Sequence, residues 1–211
     1  MTDRASARIS SRKAPKQARS NDLVTAILQA AIQVLAQEGA QRFTTARVAE
    51  RAGVSVGSLY QYFPNKAAIL FRLQSDEWRQ TSSLLGAILT DYSRPPLDRL
   101  RSLVHAFLQS ECEEAAVRGA LSDAAPLYRD ASEAHAAKET DEPLIARFML
   151  ELLPQASPQA RELAGDLVTT TLSTVGKEFS TSPRTDKEIE VYADAMADMF
   201  SSYLLGVATG K

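Results

Sequence analysis

The chain has 211 residues, with 24 lysines and arginines against 26 aspartates and glutamates, two histidines and one cysteine. That length allows a buried core in one large domain or two small ones, and the single thiol, Cys112, excludes an intramolecular disulfide or a Cys-rich zinc module. The amino terminus lacks the apolar core of a signal peptide, and charge-free stretches such as Gln80 to Thr90 fall short of the ~18 apolar residues that cross a bilayer, so the expectation is a non-membrane protein of a reducing cytoplasm.

The net charge of −2 hides a division, because residues 1–66 carry ten basic side chains against four acidic ones while the remainder carries fourteen against twenty-two. Such asymmetry implies that the amino-terminal third meets a polyanion; a solvated basic tail on an acidic domain is the alternative. Residues 1–20 hold Arg4, Arg8, Arg12, Lys13, Lys16 and Arg19 among serines and alanines, too little apolar surface to fold, and read as a flexible basic arm. A mitochondrial-type transit peptide has a similar composition and is the other reading of this segment, but residues 1–20 lack the periodic apolar side chains that such a peptide carries. From Asn21 the period becomes helical: Leu23, Ile27, Ala30, Ala31, Val34 and Leu35 share one face, and Gly39 supplies the stop. Thr44 or Thr45 caps a short second helix carrying Val48, Ala49 and Ala52, which ends at Gly53. A third covers Ser55 to Phe63 and is stopped by Pro64. Asn65 then caps a long helix from Lys66 through Ile69, Leu70, Leu73, Trp78, Leu84, Leu85 and Ile88.

Prolines punctuate the rest. Pro95 and Pro96 precede Leu97, Leu100, Leu103, Val104, Phe107 and Leu108; Pro126 breaks a segment around Val117 and Leu121; Pro143 precedes Leu144, Ile145, Phe148, Leu152 and Leu153. Two regular segments close the chain, one after Pro158 with Leu163, Leu167, Val168, Val175 and Phe179, the other after Pro183 with Ile189, Tyr192, Met196, Met199, Phe200, Tyr203, Leu204 and Val207. No alternating strand or fixed-period repeat stands out, and the chain reads as all-α, about nine helices in two domains.

The second and third helices are short and nearly contiguous around Gly53-Val54, which is the helix-turn-helix arrangement whose second member enters the DNA major groove. Ala49 and Ala52 allow close crossing, and Gly53 can take the positive φ of a helix end. At 100° per residue, Leu59 and Phe63 face inward, turning Gly57 and Gln61 outward with Ser58 and Tyr60 on the flanks. Gln61 can pair with adenine and Val56 can touch a thymine methyl, while Gly57 lets the backbone approach and Ser58, Tyr60 and Tyr62 offer hydroxyls. Thr44, Thr45, Arg47 and Lys66 lie near helix N-termini, where donors and the helix dipole favour phosphate. Plainer roles stand beside these: caps for Thr44 and Thr45, core for Tyr62, a solvated charge for Arg51.

The run Phe43-Thr44-Thr45-Ala46-Arg47-Val48-Ala49-Glu50-Arg51-Ala52-Gly53-Val54-Ser55-Val56-Gly57-Ser58-Leu59-Tyr60-Gln61-Tyr62-Phe63-Pro64-Asn65-Lys66 resembles the DNA-binding domain of tetracycline-repressor (TetR) family regulators, over roughly residues 21–80. The resemblance implies a helix-turn-helix at 44–63, with Val56, Gly57, Ser58, Tyr60, Gln61, Tyr62 and Lys66 at positions that the family uses on DNA. Gln61 departs from the aromatic residue often found there. It also implies that residues 81–211 form a helical effector-binding and dimerisation domain, and that the protein is a homodimeric repressor released from a palindromic operator by a small molecule. The last two helices, about 158–208, are the expected dimer-forming four-helix bundle, since Gly165, Gly176, Ala193, Ala195 and Ala197 leave more than one face open to packing. Trp78, Phe107, Tyr128, Phe148 and Met149 are candidates to line an effector pocket, or plain core.

Rival chemistry is sparse. Gly53-Val54-Ser55-Val56-Gly57 fits the G-x-S-x-G of hydrolases, but a nucleophile elbow follows a strand, and Ser55 follows a predicted helix and reads better as the cap of the next, counted with the DNA-facing residues. His105 and His135 lack the partners of a helical zinc site, and no phosphate loop or Rossmann fingerprint occurs, so neither a metal nor a cofactor is expected. Cys112 lies among Glu111, Glu113 and Glu114, whose field disfavours a thiolate and hence a redox role. A constitutive DNA-binding protein without an effector is the alternative to the regulator.

Overall fold

The computed structural model describes residues 18–128 and 142–209; the expected arm lies mostly outside the described residues, as does His135. The described residues form nine α-helices and one 3-10 turn and no strand. The helices are α1 (Ala18–Arg42), α2 (Thr45–Arg51), α3 (Val56–Tyr62), α4 (Lys66–Leu89), α5 (Pro96–Glu113), α6 (Ala115–Ala124), α7 (Glu142–Leu152), α8 (Pro158–Phe179) and α9 (Asp186–Ala208), and the 3-10 turn spans Ala125–Leu127. The all-α reading therefore holds.

Local sequence accounts for most helix starts. Side-chain oxygens of Thr44, Ser55, Asn65, Ser157 and Thr185 accept backbone N–H bonds at the beginnings of α2, α3, α4, α8 and α9, which satisfies donors that a helix cannot pair internally. At Thr185 the capping is reciprocal, since the Glu188 carboxylate accepts from the Thr185 backbone N–H at 2.8 Å. Gly39 breaks α1 three residues from its end, with φ 74 and ψ 172, a region that essentially only glycine enters.

The chain divides into two compact units, residues 18–78 with 116–128, and 79–115 with 142–209. In the first, Val24, Ile27, Ala31, Val34 and Leu35 of α1 pack with Phe43, Val48, Ala49, Leu59, Phe63, Ile69 and Leu70. Chain order does not predict one member: residues 116–128 lie beyond the expected boundary at residue 80, yet Leu121, Ala124 and Tyr128 complete this core. Val117, Leu121, Ala124 and Tyr128 recur at helical spacing, so one stripe can bury them all. Arg118 adds a 2.9 Å ion pair to Glu77.

By length and composition α1 from Ser20 to Arg42 is apolar enough to cross a membrane. Its charge-free run Leu23–Gln37 exceeds the Gln80–Thr90 stretch on which the sequence expectation rested. The structure puts that run to another use, because one face is buried in the first core while Thr25, Gln29, Gln33 and Gln37 are exposed.

The second unit closes around Leu100, Leu103, Val104, Leu108, Phe148, Met149, Val168, Leu172, Met196, Phe200 and Leu204. Arg99, 1% exposed, is among its largest fully buried side chains. Its guanidinium donates to the Leu89 carbonyl at the end of α4 and to the Glu151 carboxylate of α7, and stands 5.2 Å from the Tyr92 ring centroid and 5.5 Å from that of Phe148. Buried charge persists only where it is paired in this way. Across α5 and α9, Arg101 pairs with Asp194 and Asp198, and His105 Nε2 lies 3.0 Å from Asp194 Oδ1.

Candidate nucleic-acid interface

The joint between α2 and α3 is built from four residues. Gly53 has φ 67, its N–H donates to the Glu50 carbonyl at 3.1 Å, and the Val54 N–H donates to the Ala49 carbonyl at 3.0 Å. This pair of bonds around a left-handed residue is the Schellman ending of α2. Ser55 opens α3 at once, its Oγ accepting from the Ser58 N–H at 3.0 Å and lying 2.8 Å from Ser58 Oγ. A helix, the turn at Ala52-Gly53 and Val54 precede it, with no strand, so Ser55 has a capping geometry and not that of a nucleophile elbow.

Burial then fixes which side of α3 shows. Leu59, Tyr62 and Phe63 are in the core, together with Val48 and Ala49 of α2. Val56 and Tyr60 are exposed, at 40% and 39%, as are Gly57 and Gln61, with Ser58 half-buried beside them. The helix contains no acidic residue. A Cβ built on Gly57 would meet only Ser55 Oγ, at an ordinary 3.7 Å. Among the described residues, packing leaves room for a side chain at this position.

Around this face the expected phosphate contacts separate. The Thr44 hydroxyl is occupied as the α2 cap, 3.3 Å from the Arg47 N–H. Thr45 Oγ1 is 3.1 Å from the Tyr60 hydroxyl, which links the start of α2 to the exposed side of α3. Lys66, half-buried, begins α4 next to its cap Asn65. Tyr62 is 6% exposed, and its hydroxyl donates to Ser20 Oγ at 3.2 Å, anchoring the start of α1; it stands in the core, away from the exposed set. Arg47 forms an ion pair with Glu38 of α1. Arg51 donates to Gln37 Oε1 at 3.0 Å and to Gln33 Oε1 at 3.4 Å. Glu38, Gln33, Gln37 and Ser20 were invisible as partners in the sequence, because each contact joins residues separated by a turn or more of unrelated pattern.

Trp78 and Tyr128 belong to the first unit; Phe107, Phe148 and Met149 belong to the core of the second. Tyr128 is a core side chain, its ring 6.0 Å from that of Phe71 and its hydroxyl 3.1 Å from the Leu121 carbonyl, with burial pushing its pKa up to about 12. Burial also pushes the Cys112 thiol up, opposed by Arg184 and reinforced by Glu111 and Glu113, so the field of the glutamates is a lesser cause than the sequence suggested. On α8 and α9, Leu163, Leu167, Val191, Tyr192, Met199 and Leu205 are exposed.

Residues 27–73 match the family model for bacterial regulatory proteins of the tetR family, and residues 95–207 match that for the tetracyclin repressor-like C-terminal domain. Nucleoid occlusion factors SlmA are similar over part of the chain: that of Vibrio campbellii is 39% identical over 83 residues, and that of Photobacterium profundum 37% over 83 residues. These matches cover 39% of this chain and only 42% of each relative. Among solved structures, a TetR-like transcriptional regulator from Rhodococcus aligns with TM-score 0.64 and 18% identity over 94% of this chain and 100% of its own. The fatty acid degradation regulator FadR from Bacillus halodurans aligns with TM-score 0.66 and 16% identity over 89% and 96%. At such identities the likeness is one of fold.

Proposed function

We propose, for a chain that belongs to the tetracycline-repressor family of DNA-binding transcription regulators, that it works as a homodimeric repressor released from a palindromic operator by a small-molecule effector. The observation that carries the reading is the outward face of α3: Val56, Gly57, Tyr60 and Gln61 exposed together on a helix without acidic residues, held by a buried Leu59-Phe63 side. Gln61 is the base reader, able to accept from and donate to adenine at once; Val56 supplies apolar contact to a thymine methyl. Gly57 and Ser58 let the backbone close on the groove, with Ser55 fixing the helix start. Tyr60, steadied by Thr45, and Lys66 and Thr44 serve the phosphates.

Dimerisation is read from the six large apolar side chains that α8 and α9 leave in water, an arrangement that a second copy would cover. Two-fold symmetry would then present two α3 helices to successive major grooves, about 34 Å apart. The effector belongs to the carboxy-terminal part of the chain, of which residues 95–207 match the family's C-terminal domain. It must bind the DNA-released state more tightly than the DNA-bound one, since equal affinity shifts nothing. The same reading places the protein in the cytoplasm, without a membrane partner.

The test is a titration of a palindromic promoter fragment at several salt concentrations. The fragment should bind more tightly than a scrambled duplex, with log affinity falling linearly in log salt. Equal, salt-independent binding to both would overturn the proposal. Gln61→Ala should change base preference, whereas Lys66→Ala should weaken every site alike.

A further inference from the structure

The charges of the folded DNA-facing unit are not all available to DNA. Both arginines of α2 are held by α1: Arg47 by the Glu38 carboxylate, and Arg51 by the side-chain carbonyls of Gln37 and Gln33. Between Asn21 and Lys66 the chain has only four basic residues, Arg42, Arg47, Arg51 and Lys66, so α1 ties down half of them. The Glu38–Arg47 pair is not buried, with side chains 24% and 46% exposed, and pairs of that kind contribute little to folding. Its consequence lies instead in where it keeps the guanidinium. Arg47 sits in the first turn of α2, beside Thr44 and Thr45, where an unpaired arginine would reach for any phosphate.

We propose that Glu38 is a specificity-determining residue: by holding Arg47 it withholds one sequence-independent phosphate contact, so that binding depends more on the outward face of α3. Phosphate contacts add the same affinity to every duplex, so withholding one widens the ratio of specific to non-specific binding. Losing Glu38 frees Arg47, and each copy of the protein on DNA gains one contact.

The inference rests on the DNA-binding reading, and the experiment separates the two. Wild-type protein, Glu38→Ala, Arg47→Ala and the double variant are titrated on an operator duplex and on a duplex of unrelated sequence across a salt series. Glu50→Ala, which removes an equal charge from α2 without releasing an arginine, is the control for the general field. Glu38→Ala should steepen the plot of log affinity against log salt by about 0.9 per bound copy on both duplexes, and raise non-specific affinity more than Glu50→Ala does. Adding Arg47→Ala to it should return the slope to the wild-type value. Thermal melts of the same variants should agree closely, which excludes unfolding as the cause. The proposal is overturned if Glu38→Ala and Glu50→Ala act alike, or if Arg47→Ala alone flattens the wild-type slope by a full contact, because Arg47 would then already be on a phosphate. Absence of salt-dependent binding by the wild type would instead remove the DNA-binding reading on which it stands.

Discussion

Replacing Gly53 by alanine isolates the cost of a single backbone conformation at the joint of the helix-turn-helix. A Cβ at this position meets nothing within 4 Å, so packing contributes nothing to the change. What remains is the left-handed φ of 67, which costs an alanine about 1–2 kcal/mol relative to glycine. The stiffer unfolded chain offsets about 0.4–1 kcal/mol of that, leaving a net loss of about 1 kcal/mol. With a urea slope of about 1 kcal/mol/M for a unit of this size, the midpoint should fall by about 1 M. Trp78 is the chain's one tryptophan and belongs to the first unit, so its fluorescence reports that unit's melt. Asparagine tolerates the left-handed region, and Gly53→Asn should therefore lose less than Gly53→Ala. At Gly39, where ψ is 172, the conformation is closed to asparagine as well, and Gly39→Asn should be no better than Gly39→Ala. The reasoning is refuted if Gly53→Ala melts like the wild type, or if asparagine rescues both positions equally.

Two other outcomes follow from the second unit. Glu151→Ala leaves the Arg99 guanidinium buried with its charge uncompensated; because Glu151 is itself 36% exposed, the loss should be about 2 kcal/mol, below the range for a wholly buried pair, and the melting temperature of this unit should fall by about 8–16 °C. Glu151→Leu combined with Arg99→Met should recover part of it, and a Glu151→Ala melt no lower than that of the exposed Glu190→Ala would contradict the burial argument. The Glu188 carboxyl is held below the usual carboxylate range by the Thr185 backbone N–H and then by its hydroxyl, and Asp194 by the His105 hydrogen bond and, after opposition from burial, by Arg101. Depressed carboxylates stabilise the fold above their unfolded values and lose that contribution as pH falls through the folded ones. Glu188→Gln should therefore melt below the wild type at neutral pH, with the gap closing well under pH 4.5; an equal gap at both would show that ionisation plays no part.

Features written in consecutive residues were legible in the sequence. Gly53, Ser55, Pro64 and Asn65 end and begin helices through their own backbone limits and side-chain acceptors, and the structure uses them so. The inward face of α3 followed from spacing, including the ambiguity at Tyr62, which lies one helical turn from Leu59 and joins it in the core. Partners across the fold were not legible. The apolar stripe of Val117 and Leu121 announced burial but not that its partner would be the first core. Arg99 shares its helix side with Leu103, a hint of burial, yet the Glu151 that compensates it is 52 residues away. The Glu38–Arg47 pair spans the Gly39 break, whose geometry no local pattern specifies.

Whether two copies of α3 read DNA together is decided by selecting bound sequences from a pool of random duplexes with the 211-residue chain. An inverted repeat whose half-sites are centred about 10 base pairs or a multiple apart should be enriched, with the position read by Gln61 losing its preference in the Gln61→Ala variant. Enrichment of no motif, or of a single unrepeated site indifferent to Gln61, would contradict it.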